Sequence, residues 1–225
     1  MDALARKAFQ GIVGVVLVAA ALLFGIARTL DYWQAWVFLI VYFAASFLIT
    51  ARLLKSDPKL VERRMRAGPL AEKEISQKII MLVASLGFAG LLVIPAVDRR
   101  LGWSHMPMAV AIAGDVLVVL GWSAIYLVFR ENSFTSATIE IADDQEVIST
   151  GPYAYVRHPM YAGSLVMLLG IPIALGSWWG LIALGVIAAA LLWRILDEER
   201  FLTRHLAGYD AYKEKVRYRL IPHLW

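Results

Sequence analysis

The sequence predicts an all-α membrane protein, a bundle of helices that cross a bilayer several times. Of its 225 residues, 60% are hydrophobic and only 18% are charged, which lies outside the usual range of soluble domains. Apolar runs of about 20 residues, the length that crosses a hydrocarbon core, recur along the chain. Basic residues collect in the stretches between these runs. We therefore expect a polytopic helix bundle.

Six apolar stretches define the predicted helices. Four are full spans, and two form a C-terminal hairpin: Ala8–Ala27, Trp33–Ala51, Ile79–Val97, Ala109–Phe129, then Ala162–Gly176 and Trp178–Leu196. The first run is longer than the apolar core of a signal peptide and further spans follow it, so we expect it to stay attached. The sequence predicts one domain, 1–225, with a four-span part (1–130) and a C-terminal part (131–225).

Charge asymmetry predicts the orientation. If the N-terminus is cytoplasmic, the outer face keeps three basic residues, Arg28, Arg99 and Arg100, and the inner face takes the other 19 of the 22 Lys and Arg. This positive-inside pattern predicts that both chain ends are cytoplasmic. We expect a multi-pass protein of the inner or plasma membrane if the source is bacterial.

The loop between the second and third spans predicts a short helix on the membrane surface. Asp57-Pro58 is typical of a helix start, a basic stretch runs on through Arg66, and Gly68-Pro69 ends it. A lid or lipid-binding element would have this pattern. A basic loop that sets the topology explains it more simply, and we favour that interpretation.

Composition also excludes several classes of site. The chain has no cysteine and four scattered histidines, so disulfides and thiolate nucleophiles are excluded and no metal site is expected. Orientation and anionic lipid account for the net charge of +4. We therefore predict no nucleic-acid partner.

The last helix is predicted to extend beyond the bilayer. From an N-cap at Ser177 it runs over Trp178–Leu206 to Gly208, a length of over about 40 Å, whereas a hydrocarbon core is about 30 Å thick. The core would end near Arg194–Glu198. Because the preceding span starts on the same side, the hairpin should place His158–Tyr161 beside Arg194–Glu198.

These two stretches have chemistry suited to a ligand. The free amides of a helix starting at His158-Pro159 attract a carboxylate, although an ordinary helix start at an interface has the same pattern. An ion pair between Arg194 and Glu198 would contribute only about 0.2–0.5 kcal/mol. A carboxylate near hydrocarbon usually marks function, so Glu198 is a candidate receptor for a cation and Arg194 for an anion. Glu199 points to another face and is expected to be solvated.

Two further features are candidates. Asp115 is a carboxylate inside the fourth span, where ionisable residues are costly and usually functional, although contact with water or another helix would also account for it. The tail from Tyr209 and Tyr212 to Ile221-Pro222 alternates aromatic and basic residues. Its rings would cap a pocket or anchor the tail on anionic lipid, and composition favours neither.

An ordered set of motifs in the last third of the chain resembles a known family. The set comprises Gly151-Pro152-Tyr153, Arg157-His158-Pro159-Met160-Tyr161-Ala162-Gly163, Arg194-x-x-x-Glu198-Glu199, Tyr209-x-x-Tyr212 and Ile221-Pro222. It resembles the isoprenylcysteine carboxyl methyltransferases, which are related to membrane phospholipid N-methyltransferases. The resemblance covers Val147 to Pro222. The first four spans match only in hydropathy and position.

The resemblance implies an S-adenosylmethionine-dependent methyltransferase that binds its cofactor in the C-terminal part (131–225) and takes a lipophilic substrate from the bilayer. The implied cofactor contacts are Val147, Ile148, Tyr153, His158, Pro159, Met160, Tyr161 and Glu198. The implied catalytic residues are Arg194, on the substrate side, and Glu198. The chain departs from the family at Asp143-Asp144-Gln145-Glu146 and in the shorter stretch before Tyr209, so Glu199 is a further candidate.

The methyl acceptor is left open by the sequence. A carboxylate is ionised near pH 7 and needs no base, so Arg194 would orient it. A lipid amine must lose a proton, for which Glu198, Glu199 or His158 would be required. The same residues are also compatible with a sterol-reductase-like membrane enzyme or with a non-catalytic membrane scaffold.

Overall fold

The computed structural model describes residues 3–65, 68–72, 74–139 and 145–225. In this part of the chain all regular structure is helical, which confirms the predicted all-α class. The α-helices are α1 (Ala3–Ala27), α2 (Trp33–Ser56), α3 (Pro58–Met65), α4 (Ile75–Leu101), α5 (Met108–Glu131), α6 (Pro159–Ala174), α7 (Leu181–His205) and α8 (Tyr209–Lys215). A 3₁₀ turn covers Gly151–Ala154.

Four helices, α1, α2, α4 and α5, are long and apolar enough to cross a membrane, and they contain the four predicted spans. The last two helices differ from them. α6 has 16 residues and a length of about 24 Å, which is less than the roughly 30 Å of a hydrocarbon core. α7 has 25 residues and a length of about 37 Å. The bundle is confirmed, and the hairpin as two full spans stays a prediction.

The predicted start of the last helix was wrong, whereas its predicted end at Leu206 agrees to within one residue. α7 begins at Leu181 rather than Trp178 because residues 177–180 form a turn, in which the Gly180 amide donates to Ser177 Oγ (3.1 Å). At the other end α7 stops at His205, and Gly208 adopts a left-handed conformation (φ 83°) that starts α8. Ser177 and Gly208 therefore flank turns, and the helix is shorter than expected.

The predicted surface helix is present as α3. Asp57 Oδ1 accepts a hydrogen bond from the Leu60 amide (3.0 Å), as an N-terminal cap does. Leu60 and Val61 are buried, so α3 is docked on the bundle rather than lying free. The predicted end at Arg66, and Lys73 farther along this loop, lie outside the described residues.

Glycines bring α5 and α6 into backbone contact. A Cβ on Gly121 would lie 2.5 Å from the Met167 amide nitrogen, and one on Gly170 would lie 2.6 Å from the Gly114 carbonyl oxygen. Small residues allow this close approach in membrane bundles. α7 instead packs mainly on α4, so α6 and α7 each lie against another helix more than against one another. Space is left between these two helix pairs.

A buried carboxylate fixes the turn between α6 and α7. Asp98, at the C-terminal end of α4, is only 2% exposed and accepts hydrogen bonds from the amide and hydroxyl of Ser104 (both 2.7 Å) and from the Ser177 hydroxyl. Nearby, the Tyr32 hydroxyl donates to the Leu175 carbonyl (2.7 Å). These bonds hold the pole of the bundle at which α6 ends and α7 begins.

The close approach of α5 and α6 predicts a large effect of one methyl group. Gly121→Ala should destabilise the protein by about 1–3 kcal/mol because its Cβ meets the backbone of α6. The matched control is Gly14→Ala in α1, where a Cβ meets nothing within 4 Å and no loss is expected. Thermal unfolding of both variants in detergent measures the difference. Equal midpoints would contradict the proposed backbone contact.

Candidate active site

One cleft brings together the nine residues that the resemblance implies as catalytic or cofactor-binding. Its volume is about 120 Å³, and it lies between the first turn of α6, the C-terminal half of α7, the 145–158 segment and α8. The predicted residues in its wall are Val147, Ile148, Tyr153, His158, Pro159, Met160, Tyr161, Arg194 and Glu198. The hairpin argument thus predicted this juxtaposition, although it placed the start of α7 three residues too early.

The N-terminal end of α6 presents unbonded backbone amides to this cleft. His158 precedes the helix, and Pro159 has no amide hydrogen. The first bond of the helix runs from the Ala162 amide to the His158 carbonyl (3.1 Å), so the amides of Met160 and Tyr161 precede it. Such amides and the positive helix end favour a bound anion.

Tyr161 links the two predicted catalytic side chains. Its hydroxyl donates to Glu198 Oε2 (2.7 Å) and accepts from Arg194 Nε (3.0 Å). Arg194 and Glu198 therefore meet on one hydroxyl group. The wall of the cleft thus contains a hydrogen-bonded row of the Glu198 carboxylate, the Tyr161 phenol and the Arg194 guanidinium.

Arg194 has further partners that the sequence did not indicate. It is 5% exposed, and its Nη1 lies 2.8 Å from Glu72 Oε1 and donates to Gln77 Oε1 (2.9 Å). Its Nη2 donates to the Ala137 carbonyl (3.0 Å). Glu72 lies in the basic loop before α4, and Gln77 lies in the first turn of α4. Neither spacing nor hydropathy distinguishes these two residues from solvated ones. Together these contacts fix the guanidinium in one place.

The expectation that Glu199 is solvated was wrong. The side chain is buried, and its two oxygens contact Arg157 Nε (2.7 Å), His158 Nε2 (3.1 Å) and Arg219 Nε (2.8 Å). Burial alone would raise the pKa of Glu199, but hydrogen bonds from His158, Arg157 and Arg219 lower it to about 2. The last turns of α7 face the 157–158 segment and the tail, which helix periodicity alone does not reveal.

The C-terminal tail lies against the site. The backbone amides of Arg157 and His158 donate to the carbonyls of Tyr218 and Arg219 (both 2.9 Å), and Arg157 Nη1 donates to the Val216 carbonyl (2.8 Å). The tail is therefore packed on the 157–158 segment, and its role as a pocket cap or a lipid anchor stays a prediction.

The paired tyrosines of α8 form part of the cleft. Tyr209 and Tyr212 are buried, and both line it. The Tyr212 hydroxyl donates to the Tyr153 carbonyl (2.8 Å), whereas the buried Tyr209 hydroxyl has no hydrogen-bond partner among the described residues. A buried polar group without a partner is rare in a native structure. It fits a cleft whose ligand supplies the missing partner.

A second, apolar cavity adjoins the cleft. Its volume is about 530 Å³, and most of its wall is hydrophobic, with residues such as Ile49, Leu53 and Phe88. It shares four residues with the cleft: Ser136, Met160, Tyr161 and Arg194. An apolar cavity therefore meets a polar cleft at Tyr161 and Arg194.

One sequence candidate, Asp115, is not part of either space. Asp115 is buried in α5, and its oxygens have no partner among the described residues, but it lines neither cavity. Asp143 and Asp144 lie outside the described residues. Within the described ranges, no group of three or more His, Asp or Glu side chains is placed to hold a metal ion.

Comparison with known proteins identifies similar methyltransferases. Residues 109–208 match the family model described as phospholipid methyltransferase. A protein-S-isoprenylcysteine O-methyltransferase of Schizosaccharomyces pombe is 33% identical over 79 residues, which are 32% of this chain and 32% of that protein. A probable protein-S-isoprenylcysteine O-methyltransferase of Oryza sativa subsp. indica is 28% identical over 120 residues, 50% of this chain and 58% of that protein.

A third relative is of another kind. The Delta(14)-sterol reductase of Mus musculus is 28% identical over 138 residues, 53% of this chain and 32% of that protein. The chain thus spans less than two thirds of the length of each of these relatives. The predicted relationship with isoprenylcysteine and phospholipid methyltransferases is confirmed. The family match begins in α5, well before the motifs that start at Val147.

The contacts of Glu199 predict a strong effect of neutralising it. Glu199→Gln should cost about 3–5 kcal/mol because Arg157 would keep a buried charge without its carboxylate. The tail should also become more sensitive to trypsin at Arg217 and Arg219. Glu214→Gln, at an exposed carboxylate on α8, is the matched control and should change neither property. Wild-type stability of Glu199→Gln, measured by denaturation in detergent, would contradict the structural role.

The lowered pKa of Glu199 predicts a pH-dependent contribution to stability. The ordinary pKa is 4.5, and the folded protein lowers it to about 2. The contribution should therefore be complete above about pH 4.5 and should be lost as the pH falls towards 2. The stability difference between wild type and Glu199→Gln, followed from about pH 7 to about pH 2.5, measures it. A difference that persists undiminished at the acid end of this range would refute the assignment.

Proposed function

Because the chain is related to the isoprenylcysteine and phospholipid methyltransferases, we propose that it transfers a methyl group from S-adenosylmethionine to a carboxylate on a lipophilic acceptor. The observation that carries this proposal is the junction of the two spaces. A polar cleft lined by every predicted cofactor contact adjoins an apolar cavity at Tyr161 and Arg194. A reaction between a polar cofactor and a lipid needs such a junction.

The cleft residues fit the cofactor. The amides of Met160 and Tyr161 at the start of α6 suit its carboxylate, and the Glu198 carboxylate suits its cationic part. The rings of Tyr153, Tyr209 and Tyr212 offer flat surfaces for a purine, and the unpartnered Tyr209 hydroxyl offers a hydrogen bond. When bound, the cofactor supplies a methyl group on a sulfonium, which passes to the acceptor oxygen as the methyl–sulfur bond breaks.

The protein's own task is positioning and exclusion of water. Transfer to a carboxylate requires no general base, since the nucleophile is already ionised near pH 7. Arg194 is held by Tyr161, Gln77 and Glu72, so its guanidinium is a fixed point against which an acceptor carboxylate aligns. The apolar cavity holds the lipid chain and keeps water from the reacting oxygen.

The site is proposed to face the cytosol. The basic residues concentrate at the pole of the bundle that carries the site, and the positive-inside rule places such a pole in the cytoplasm. The acceptor would then enter from the bilayer, and the cofactor would enter from the aqueous side. We propose an inner or plasma membrane if the source is bacterial.

Glu198→Gln should weaken S-adenosylmethionine binding at least tenfold because the cleft loses its carboxylate for the cationic cofactor. The measurement is isothermal titration of the purified full chain in detergent, with Glu214→Gln as the control expected to bind like wild type. Methyl transfer is followed with labelled cofactor and a total lipid extract, with mass analysis of the product. A base-labile methyl ester is expected.

Two results would contradict the proposal. The first is no measurable binding of S-adenosylmethionine to the wild-type protein. The second is binding that is equal in wild type and Glu198→Gln. Label in a base-stable N-methyl product would replace the carboxylate acceptor with an amine.

A further inference from the structure

Arg64, on the short helix α3, lies at the junction of the two spaces. It lines the apolar cavity together with Arg194. Arg64 Nη1 donates to the Ser136 carbonyl (2.8 Å), and Arg194 Nη2 donates to the next carbonyl along the chain, that of Ala137 (3.0 Å). The two guanidinium groups are therefore neighbours. The first comes from the basic loop and the second from α7.

The two arginines differ in how their charge is balanced. Arg194 has the Glu72 carboxylate at 2.8 Å. Arg64 donates to a carbonyl oxygen and to the Met160 sulfur (3.7 Å), which are both neutral, and its guanidinium lies 5.3 Å from the Phe129 ring. No carboxylate among the described residues forms an ion pair with Arg64. Within the described ranges, Arg64 is thus a partly buried cation in a mainly apolar wall without a counter-charge.

The environment of Arg64 makes this charge costly. Burial lowers the pKa of its guanidinium, Tyr161 opposes that shift, and the charge of Arg194 adds to it. Both hydrogen bonds of Arg64 come from Nη1, so within the described chain Nε and Nη2 make no hydrogen bond. A guanidinium offers five donors, and a carboxylate accepts two of them in parallel. The donors left unused and the counter-charge missing among the described residues point to the same kind of ligand, a carboxylate.

We propose that Arg64 is a second anion-binding residue for the acceptor, and that it selects a lipophilic molecule whose head group is anionic. The inference rests on the proposed function for the identity of this molecule as the methyl acceptor. The apolar cavity receives the chain of the molecule, and its carboxylate lies between Arg64 and Arg194. A cationic amine head would meet the like charge of Arg64, which no described carboxylate balances, in a poorly hydrated site, and this contact is unfavourable.

This role changes the interpretation of the basic loop. Its charges were expected to do no more than set the topology. Leu60 and Val61 anchor α3 on the bundle, and this docking brings Arg64 over the cavity, whereas Lys59 on the same helix is exposed. The helix therefore separates two kinds of basic residue, one on the solvent or lipid side and one on the acceptor side.

The test is a binding measurement that needs neither cofactor nor turnover. The probes are N-acetyl-S-farnesylcysteine, which carries a free carboxylate, and its methyl ester, and binding to the full chain in detergent is followed by tryptophan fluorescence. Wild type should bind the acid at least tenfold more tightly than the ester. Arg64→Gln should remove most of this preference, and Arg64→Lys should retain part of it.

Lys59→Gln is the matched control, because it removes the same charge from the same helix without touching the cavity, and it should keep the full preference. Thermal unfolding verifies that each variant is folded. Equal binding of acid and ester to wild type, or a preference that survives Arg64→Gln, overturns the inference. A normal acid preference that depends on Arg64, together with no binding of S-adenosylmethionine, would refute the proposed function and leave this inference standing.

Discussion

The buried carboxylate of Glu199 holds the site together. It joins three stretches that are far apart in sequence: the end of α7, the Arg157-His158 pair before α6, and the tail at Arg219. A single carboxylate can accept several charge-assisted hydrogen bonds, and without it the buried Arg157 Nε and His158 Nε2 would lose this partner. The contacts of Glu199 fix both the 157–158 segment and the tail. The start of α6 and the tyrosines of α8 can therefore face the same cleft.

The position of the cleft follows from helix packing. α5 and α6 approach so closely through their glycines that they behave as one unit, and α7 lies on α4 as part of another. At the pole held by Asp98 and Ser177 the two units meet. At the opposite pole they are joined by polar contacts, among them the bond from Tyr161 to Glu198. The apolar cavity lies between the two units and reaches the cleft there.

Much of this arrangement could be predicted from the sequence. Hydropathy identifies α1, α2, α4 and α5, because each needs a long apolar run to cross a bilayer. The motifs identify the residues of the cleft, since His158-Pro159 starts a helix and Arg194 and Glu198 share a face of another. The start of α7 was missed because the sequence favours Ser177 as a helix cap, whereas the structure uses it in a turn bound to Asp98.

Contacts between distant segments were the least predictable part. Gln77 reaches Arg194 because α4 packs on α7, and Glu72 reaches it from the segment just before α4. No local sequence pattern encodes either contact. Arg64 looks like any other basic residue of its loop until Leu60 and Val61 are seen to be buried. For Glu199, helix periodicity gives the direction of the side chain but not what lies there.

The glycine contacts of α5 and α6 also have a mechanical consequence. The α5–α6 pair and the α4–α7 pair have the cavity between them, and the Asp98 and Ser177 contacts join the two pairs at one pole. A bulky chain is admitted most easily by a small rotation of one helix pair against the other about these contacts, which leaves the packing inside each pair unchanged. The gap then opens widest at the opposite pole, where Tyr161, Arg194 and Glu198 meet.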